Sequence, residues 1–192
     1  TVAECFDSSI YPRPSTNQSA LRTAALAIGK GMANTNQIYA RMTTVGGAAT
    51  STYAAGVAWA YSNNGKTDWH LPSKDESNQL YINRLAVGGF STGAYWTSSE
   101  LAADNAWNQY FSSDFQGYGG KNPTNAVRPV RAFGGTVACA DGGVCAVGDT
   151  GPGGGIVFYV NNVSANRFVL AASRLDLELM SAMDAMAREL RR

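Results

Sequence analysis

Charged residues are scarce in this chain and nearly balanced in sign. Asp, Glu, Lys and Arg make up 15% of the 192 residues, and the formal net charge is +1. Because no cluster of Lys or Arg is present that would follow a phosphate backbone, nucleic acid is not expected as the main partner. No apolar run approaches the roughly 20 residues needed to cross a bilayer, so no membrane span is expected. No signal peptide is visible, and the start at Thr1 suggests a mature or trimmed chain from which a targeting segment has been removed.

Histidine and cysteine are also rare. His70 is the only histidine, and no spacing supplies it with the nucleophile and orienting acid that a catalytic histidine needs. We therefore expect His70 to be structural and the protein not to be an enzyme. Cys139 and Cys145 enclose a short flexible loop that a disulfide would close, whereas zinc would need further thiols or histidines. Cys5 is left either free or paired with a segment outside this chain.

Glycine, by contrast, is abundant, with 21 residues. Together with Asn, Ser and Thr it favours turns over long helices. Two helices with clear start or stop signals are nevertheless predicted in the middle of the chain. One covers about residues 52–62 and stops at Asn63-Asn64-Gly65. The other begins at Ser73, where Glu76 completes a capping box, and its apolar surface is supplied by Leu80, Ile82, Leu85 and Val87.

Short strands are predicted after residue 90, where aromatic and β-branched residues are separated by Gly, Asn and Ser turns. They cover residues 94–97, 106–111 and 127–133. Further along, a glycine-rich turn at 148–155 leads into an apolar strand at 156–160, whose hairpin partner is expected at 167–170. This pattern predicts an α+β fold with short antiparallel strands and at least two helices.

The final segment differs in character from the rest of the chain. Ser173 is a suitable cap for a helix from Arg174 to Leu190. The apolar residues of this segment recur at helical spacing on one stripe, made of Leu175, Leu179, Met183, Met186 and Leu190. The stripe either packs on its own domain or serves assembly with another chain, and the sequence leaves both open.

Several spaced motifs between residues 27 and 133 resemble one known family. They are Trp69-His70-Leu71-Pro72-Ser73-Lys74-Asp75-Glu76, Tyr95-Trp96-Thr97-Ser98-Ser99-Glu100, Ala106-Trp107 and Val127-Arg128-Pro129-Val130-Arg131-Ala132-Phe133. Together with Gly29-Lys30-Gly31-Met32-Ala33-Asn34-Thr35 they resemble the Lcl-type C-terminal domain family of bacterial surface proteins. That family is similar to the C-type-lectin-like and formylglycine-generating-enzyme folds, so the resemblance implies a C-type-lectin-like domain.

The glycine-rich turn and its strand also resemble this family, in which they open the domain. Here they come last, and two arrangements stay open. A second unit of a tandem repeat begins near Gly148, or the strand completes a domain in the same chain or in its neighbour. The expected organisation is a C-type-lectin-like domain at 1–134, a connector at 135–155, a β-hairpin at 156–172 and an amphipathic helix at 173–192.

The resemblance implies recognition or adhesion in the extracellular space or at the cell surface, with a glycan or a surface protein as the partner. Some relatives of this fold vary their binding surface in the last part of the domain. The matching positions lie in the polar loops predicted between residues 105 and 125. The candidate ligand-binding residues are Asn105, Asn108, Tyr110, Ser112, Asp114, Gln116, Tyr118, Lys121 and Asn122. The alternative is a polar connection between strands that binds nothing.

No cofactor or metal site is assigned. Calcium stays open, because hard oxygen ligands are offered by Asp104, Asn105, Asp114 and Asn122. However, Trp107-Asn108-Gln109 lacks the carboxylate found in the signatures of calcium-dependent sugar-binding lectins. The paired cysteines of the formylglycine-generating active site are missing too, so enzymatic activity does not carry over from that fold.

The leading functional prediction is therefore a non-catalytic extracellular module that binds a glycan or protein. The alternative is a structural subunit of an extracellular filament or other assembly. In that case self-association would use the strand at 156–160 and the terminal helix, since a head-to-tail contact that does not close produces a filament.

Overall fold

The computed structural model describes residues 26–102, 105–134, 144–161 and 168–174. In these residues the α-helices are α1 (Gly31–Tyr39), α2 (Ala54–Ala60), α3 (Lys74–Ile82) and α4 (Arg84–Val87). A π-helical turn at Ala40–Val45 follows α1, and a 3-10 turn at Thr50–Thr52 precedes α2. No helix in the described part of the chain is long and apolar enough to cross a membrane.

Two antiparallel sheets of three strands each accompany the helices. The first sheet has the order β1-β2-β3, with β1 at Ala94–Ala102, β2 at Asn105–Tyr110 and β3 at Gln116–Gly120. The second has the order β4-β6-β5, with β4 at Val130–Phe133, β5 at Ile156–Asn161 and β6 at Phe168–Ala172. The predicted α+β class is confirmed, and the C-type-lectin-like detail of the prediction stays a prediction.

Helices cover both faces of the first sheet. Consecutive residues of a strand point to opposite faces of a sheet. Tyr95 and Trp96 of β1 therefore pack into two different hydrophobic clusters. Trp96 packs with Tyr53 and residues of α1 and α2. Tyr95 packs with Leu80 of α3. The two sides of the sheet are called below the α1/α2 face and the α3 face.

The C-terminal hairpin joins the rest of the chain in cis. Its strand β6 lies between β4 and β5, with Val130 opposite Ala172 and Phe133 opposite Val169. Leu170 is buried in the core that also contains Leu80. The hairpin therefore contributes core surface to the domain that precedes it, although the sequence left open whether it would pair in the same chain or in a neighbour.

The predicted capping box at the start of α3 is confirmed. The Glu76 backbone N–H donates to Ser73 Oγ at 3.3 Å, and the Ser73 backbone N–H donates to Glu76 Oε2 at 2.9 Å. Glu76 is buried and also accepts a hydrogen bond from the Gly29 N–H at 2.8 Å. One acidic side chain thus accepts hydrogen bonds from the backbone at the start of α3 and from the segment that leads into α1.

Some predicted boundaries are wrong. The first strand runs on to Ala102, and the strand predicted at 127–133 begins only at Val130, because Pro129 has no N–H to donate to a ladder. In the predicted apolar surface after Ser73, Leu80 and Val87 are buried but Ile82 and Leu85 are exposed.

Other predictions lie outside the described residues. They are the terminal helix at 174–190 beyond Arg174, the connector at residues 135–143, and the three residues Cys5, Asp104 and Cys139.

Candidate functional site

The predicted loop region between 105 and 125 is largely a β-hairpin. The strand predicted at 106–111 is confirmed as β2, whereas the polar loop expected after it is wrong for residues 116–120, which form β3. Asn105 pairs with Gly120 and Gln109 with Gln116, so the backbone hydrogen bonds of a glycine-rich segment are made across the hairpin. Only the turn at 111–115 and the residues after Gly120 remain outside strands.

An aromatic pair lies on the α3 face of this hairpin. Trp107 and Tyr118 are opposite each other in the register, with ring centroids 5.6 Å apart and planes at 74°. The Tyr118 side chain is 62% exposed, whereas Trp107 is half-buried. Lys74 Nζ lies 4.8 Å from the centroid of the Trp107 ring. Aromatic residues in short strands are more often core residues than ligand contacts, which predicts core positions for both Trp96 and Trp107. Of the two, only Trp96 is fully buried.

Helix α3 holds this face in place. Gln116 Nε2 donates to the carbonyl oxygen of Lys74 at 2.8 Å. The Lys74 N–H donates to Ser99 Oγ at 2.9 Å. The first residue of α3 is therefore bonded to both β1 and β3, and the cation–π contact of its side chain adds a third connection through Trp107. The Trp107 ring is thus in contact with both the Lys74 side chain and the Tyr118 ring.

A second aromatic pair lies on the opposite face, near the turn. Tyr110 and Phe115 have ring centroids 5.8 Å apart, and both are exposed. The Phe115 ring approaches the backbone of Gly117, where a Cβ atom would lie 2.8 Å from Phe115 Cε1. Asn108 belongs to this face but is buried, and its Oδ1 has no hydrogen-bond partner.

The nine candidate ligand-binding residues therefore do not form one site. Tyr118 and Gln116 lie on the α3 face, and Tyr110 lies on the α1/α2 face. Asn105 and Asn122 lie at the open end of the hairpin, whereas Ser112 and Asp114 lie in its turn. The two ends of β2, Asn105 and Tyr110, are separated by about 17 Å at the rise of an extended strand.

Lys121 is not at the surface. It forms an ion pair with Glu100 of β1, and its side chain is 4% exposed. A cation placed in this way holds the chain after β3 against the first sheet. The expectation that Lys121 reaches a ligand is therefore not supported by its position.

The calcium ligands suggested by the sequence do not all lie together, because Asp114 is separated from Asn105. Asp114 is in the turn and Asn105 is at the other end of β2, so a single ion with ligand distances near 2.4 Å cannot touch both. In the described segments, no group of three or more His, Cys, Asp or Glu side chains is arranged to hold a metal.

His70 is part of the structural core. Its backbone N–H donates to the Val130 carbonyl at 2.7 Å and its carbonyl accepts from the Val130 N–H at 2.9 Å. Its Nε2 lies 3.6 Å from Glu76 Oε2, and both side chains are buried. These contacts connect the start of α3 to β4, a structural arrangement of the kind expected from the sequence.

Cys145 is disulfide-bonded and buried. Its partner lies outside the described residues, so the pairing of Cys139 with Cys145 stays a prediction.

Sequence reasoning missed Lys74, Trp107 and Phe115 as components of the hairpin surface. Phe115 carried one usable signal, since a large apolar residue within the polar run 112–116 is expected to be exposed if that run is a turn. Lys74 carried none, because its role depends on where α3 starts relative to β2.

Comparison with known proteins gives one match. A family model described as the Lcl C-terminal domain matches residues 16–131, which is more than half of the chain. Searches of curated proteins and of solved structures give no significant match.

Proposed function

The chain belongs to the Lcl C-terminal domain family, and on this premise we propose that it is a non-catalytic recognition module acting outside the cell. The family indicates a bacterial surface-associated domain. The proposed ligand is a glycan or a protein, bound on the α3 face of the β2–β3 hairpin.

The observation that carries this proposal is the pair Trp107 and Tyr118. An exposed tyrosine on a rigid strand offers a broad apolar face and a hydroxyl at low entropic cost. Trp107 is already held between Lys74 and Tyr118, so little side-chain freedom remains to be lost on binding. The apolar C–H face of a sugar ring or the face of an aromatic side chain fits against such a surface.

The neighbouring polar groups suit directional contacts. Lys74 supplies a cation at the edge of the aromatic pair, and Asp75 beside it is partly exposed. The hydroxyl of Tyr118 adds a donor and an acceptor. A few oriented polar groups around an aromatic surface are typical of ligand recognition.

The hairpin surface is tested by removing one ring at a time. Tyr118→Ala and Trp107→Ala are compared with Trp59→Ala, which removes an exposed aromatic side chain from α2. The probes are an array of neutral and acidic oligosaccharides and a panel of extracellular-matrix proteins. For any probe that the unmodified chain binds, Tyr118→Ala is expected to weaken binding about tenfold or more, and Trp59→Ala is expected to leave it unchanged.

The opposite pattern would contradict the proposal. If Tyr118→Ala and Trp107→Ala bind every probe as the unmodified chain does while their unfolding curves show an intact fold, the α3 face is not the recognition surface.

The geometry gives less support to assembly through the strand at 156–160. One edge of β5 pairs with β6 of the same chain. On its other side, the Gly148 N–H donates to Val157 O and the Val157 N–H donates to Asp149 O, each at 2.9 Å. Strand exchange between chains would require these contacts to open first, because addition to a sheet needs an unpaired edge.

A further inference from the structure

The last residue of α3 and helix α4 carry an apolar surface that the described residues leave uncovered. Leu85 is 92% exposed and Ile82 is 56% exposed. Val147 is also exposed, and the adjacent Gly148 approaches α4 so closely that a Cβ there would lie 3.8 Å from Cβ of Ala86. Ile82, Leu85 and Val147 are called here the α4 patch. Neighbouring large apolar side chains at this exposure mark an interaction surface.

The end of the described chain lies beside the same helix. The carbonyl oxygen of Arg174 is 3.5 Å from the position that a Cβ would take at Gly89, just past the end of α4. The backbone at Gly88 and Gly89 is held by the guanidinium of Arg128, which donates to both carbonyl oxygens at 2.6 and 2.9 Å. The point from which the chain continues is therefore fixed relative to Leu85.

Arg174 itself is held in place on its other side. Its Nε donates to the Gly154 carbonyl at 3.0 Å, and its guanidinium also bonds Thr150 Oγ1 at 3.0 Å. The described chain therefore ends beside the C-terminal end of α4, held there by the contacts of Arg174.

Residues 175–192 follow this point, and their sequence carries the apolar stripe of Leu175, Leu179, Met183, Met186 and Leu190. As a helix this segment would extend about 27 Å, which is enough to pass along α4. Methionine side chains adapt to irregular surfaces. The stripe needs an apolar partner, and the α4 patch is an apolar surface next to its origin.

We propose that residues 175–192 of this chain cover the α4 patch with this stripe. The tether at Arg174 gives the segment a high effective concentration at the patch, so that it occupies the patch ahead of a second copy of the chain or another protein. Ile82 and Leu85 are thus core residues of the complete domain. This inference does not depend on the proposed ligand-binding function.

The test is hydrogen–deuterium exchange on the full chain at two protein concentrations tenfold apart. Amides in 175–192 are expected to exchange at least about tenfold more slowly than in a free peptide of the same sequence, as expected when a large apolar side chain leaves water. The protection is expected to be equal at both concentrations. Leu85→Gln and Met183→Gln are each expected to remove it.

Val45→Gln is the matched control, since Val45 is an exposed apolar residue in the π-helical turn. It is expected to leave the protection of 175–192 unchanged. The amides of β6 report in every variant that the body of the domain is folded. Because Leu85 is almost fully exposed, its replacement is expected to leave those amides protected.

Three results would overturn the inference. If the amides of 175–192 are unprotected in the full chain, these residues do not cover the patch. If their protection increases with protein concentration, a second copy of the chain supplies the contact. If their protection is unchanged in Leu85→Gln, the segment packs elsewhere.

Discussion

Asp68 accepts two hydrogen bonds from the guanidinium of Arg131, from Nε and from one terminal nitrogen, each at 2.7 Å. Arg131 lies in β4, and its other terminal nitrogen donates to the carbonyl of Pro152 at 2.8 Å. One side chain thus connects the segment before α3, the second sheet and the glycine-rich turn before β5. The hydrogen bond from Arg131 lowers the pKa of the Asp68 carboxyl below its ordinary value, against the smaller opposing effect of burial.

This pair predicts a pH-dependent difference between the unmodified chain and Asp68→Asn. A carboxyl whose pKa is lowered by folding stabilises the protein above its ordinary pKa, and that contribution is lost as the pH falls through the folded-state pKa. Asp68 is 48% exposed, so the difference near neutral pH is expected to be no more than about 1 kcal/mol.

Urea unfolding near pH 7 and near pH 3 measures this difference. The unmodified chain is expected to be more stable than Asp68→Asn near pH 7. The difference in free energy of unfolding between the two is expected to be smaller near pH 3. If the difference in free energy of unfolding between the two proteins is the same at both pH values, the charge of Asp68 does not contribute to stability.

The capping box predicts a local loss of stability. In Ser73→Ala the helix loses its cap, and the Ala27 carbonyl loses the Ser73 hydroxyl that donates to it at 2.9 Å. The free energy of unfolding is expected to fall by about 1–2 kcal/mol. Ser62→Ala, at an exposed serine, is the control and is expected to change it by less than about 0.5 kcal/mol. Chemical denaturation measures both changes. If Ser73→Ala and Ser62→Ala change the free energy of unfolding equally, the capping box does not stabilise the protein.

The backbone at Gly31 packs so closely against neighbouring residues that a larger residue at this position is expected to destabilise the fold. A Cβ there would lie 2.7 Å from His70 Cδ2 and 2.8 Å from the Leu71 carbonyl oxygen. Gly31→Ala is therefore expected to cost about 1–3 kcal/mol through overpacking. At Gly119 a Cβ would meet nothing within 4 Å, so Gly119→Ala is the matched control. Thermal unfolding measures the effect. If the unfolding midpoint of Gly31→Ala equals that of Gly119→Ala, the predicted overpacking at Gly31 is wrong.

The position of β6 predicts that the C-terminal hairpin belongs to the same cooperative unit as the first sheet. Leu170 is fully buried between residues of both parts, so Leu170→Ala is expected to lower the free energy of unfolding by about 2–5 kcal/mol. Val45→Ala, at an exposed site, is expected to change it little. Two separate unfolding transitions, with only one affected by Leu170→Ala, would show that the hairpin is an independent unit.

Local signals in the sequence predicted the elements that depend on nearby residues. Ser73 and Glu76 are three residues apart, and the same two residues form the box in the structure. The apolar run from Ile156 became β5, because a short β-branched and aromatic run after a glycine turn has few other stable conformations. Trp96 was expected in the core and is there.

The hairpin surface was not predictable in the same way. Gln116 to Gly120 contains three glycines and little β-propensity, and it forms a strand only because β2 offers an edge with matching register. The candidate residues looked like one loop in sequence. Pairing distributes them between two faces and two ends of a hairpin, so that Tyr118 belongs to the aromatic pair on the α3 face and Gln116 lies on the same face.

The sequence by itself determined the α+β class, the start of α3, the strand at 156–160 and the family, because each depends on residues close together in the chain or on motifs in a set order. The tertiary structure alone decided that β6 pairs with β4 of the same chain, that Lys121 is buried beside Glu100, and that Trp107 is half-exposed next to Tyr118. These outcomes depend on contacts between segments far apart in sequence. Strand register, which places every side chain on one face or the other, is settled only when those segments meet.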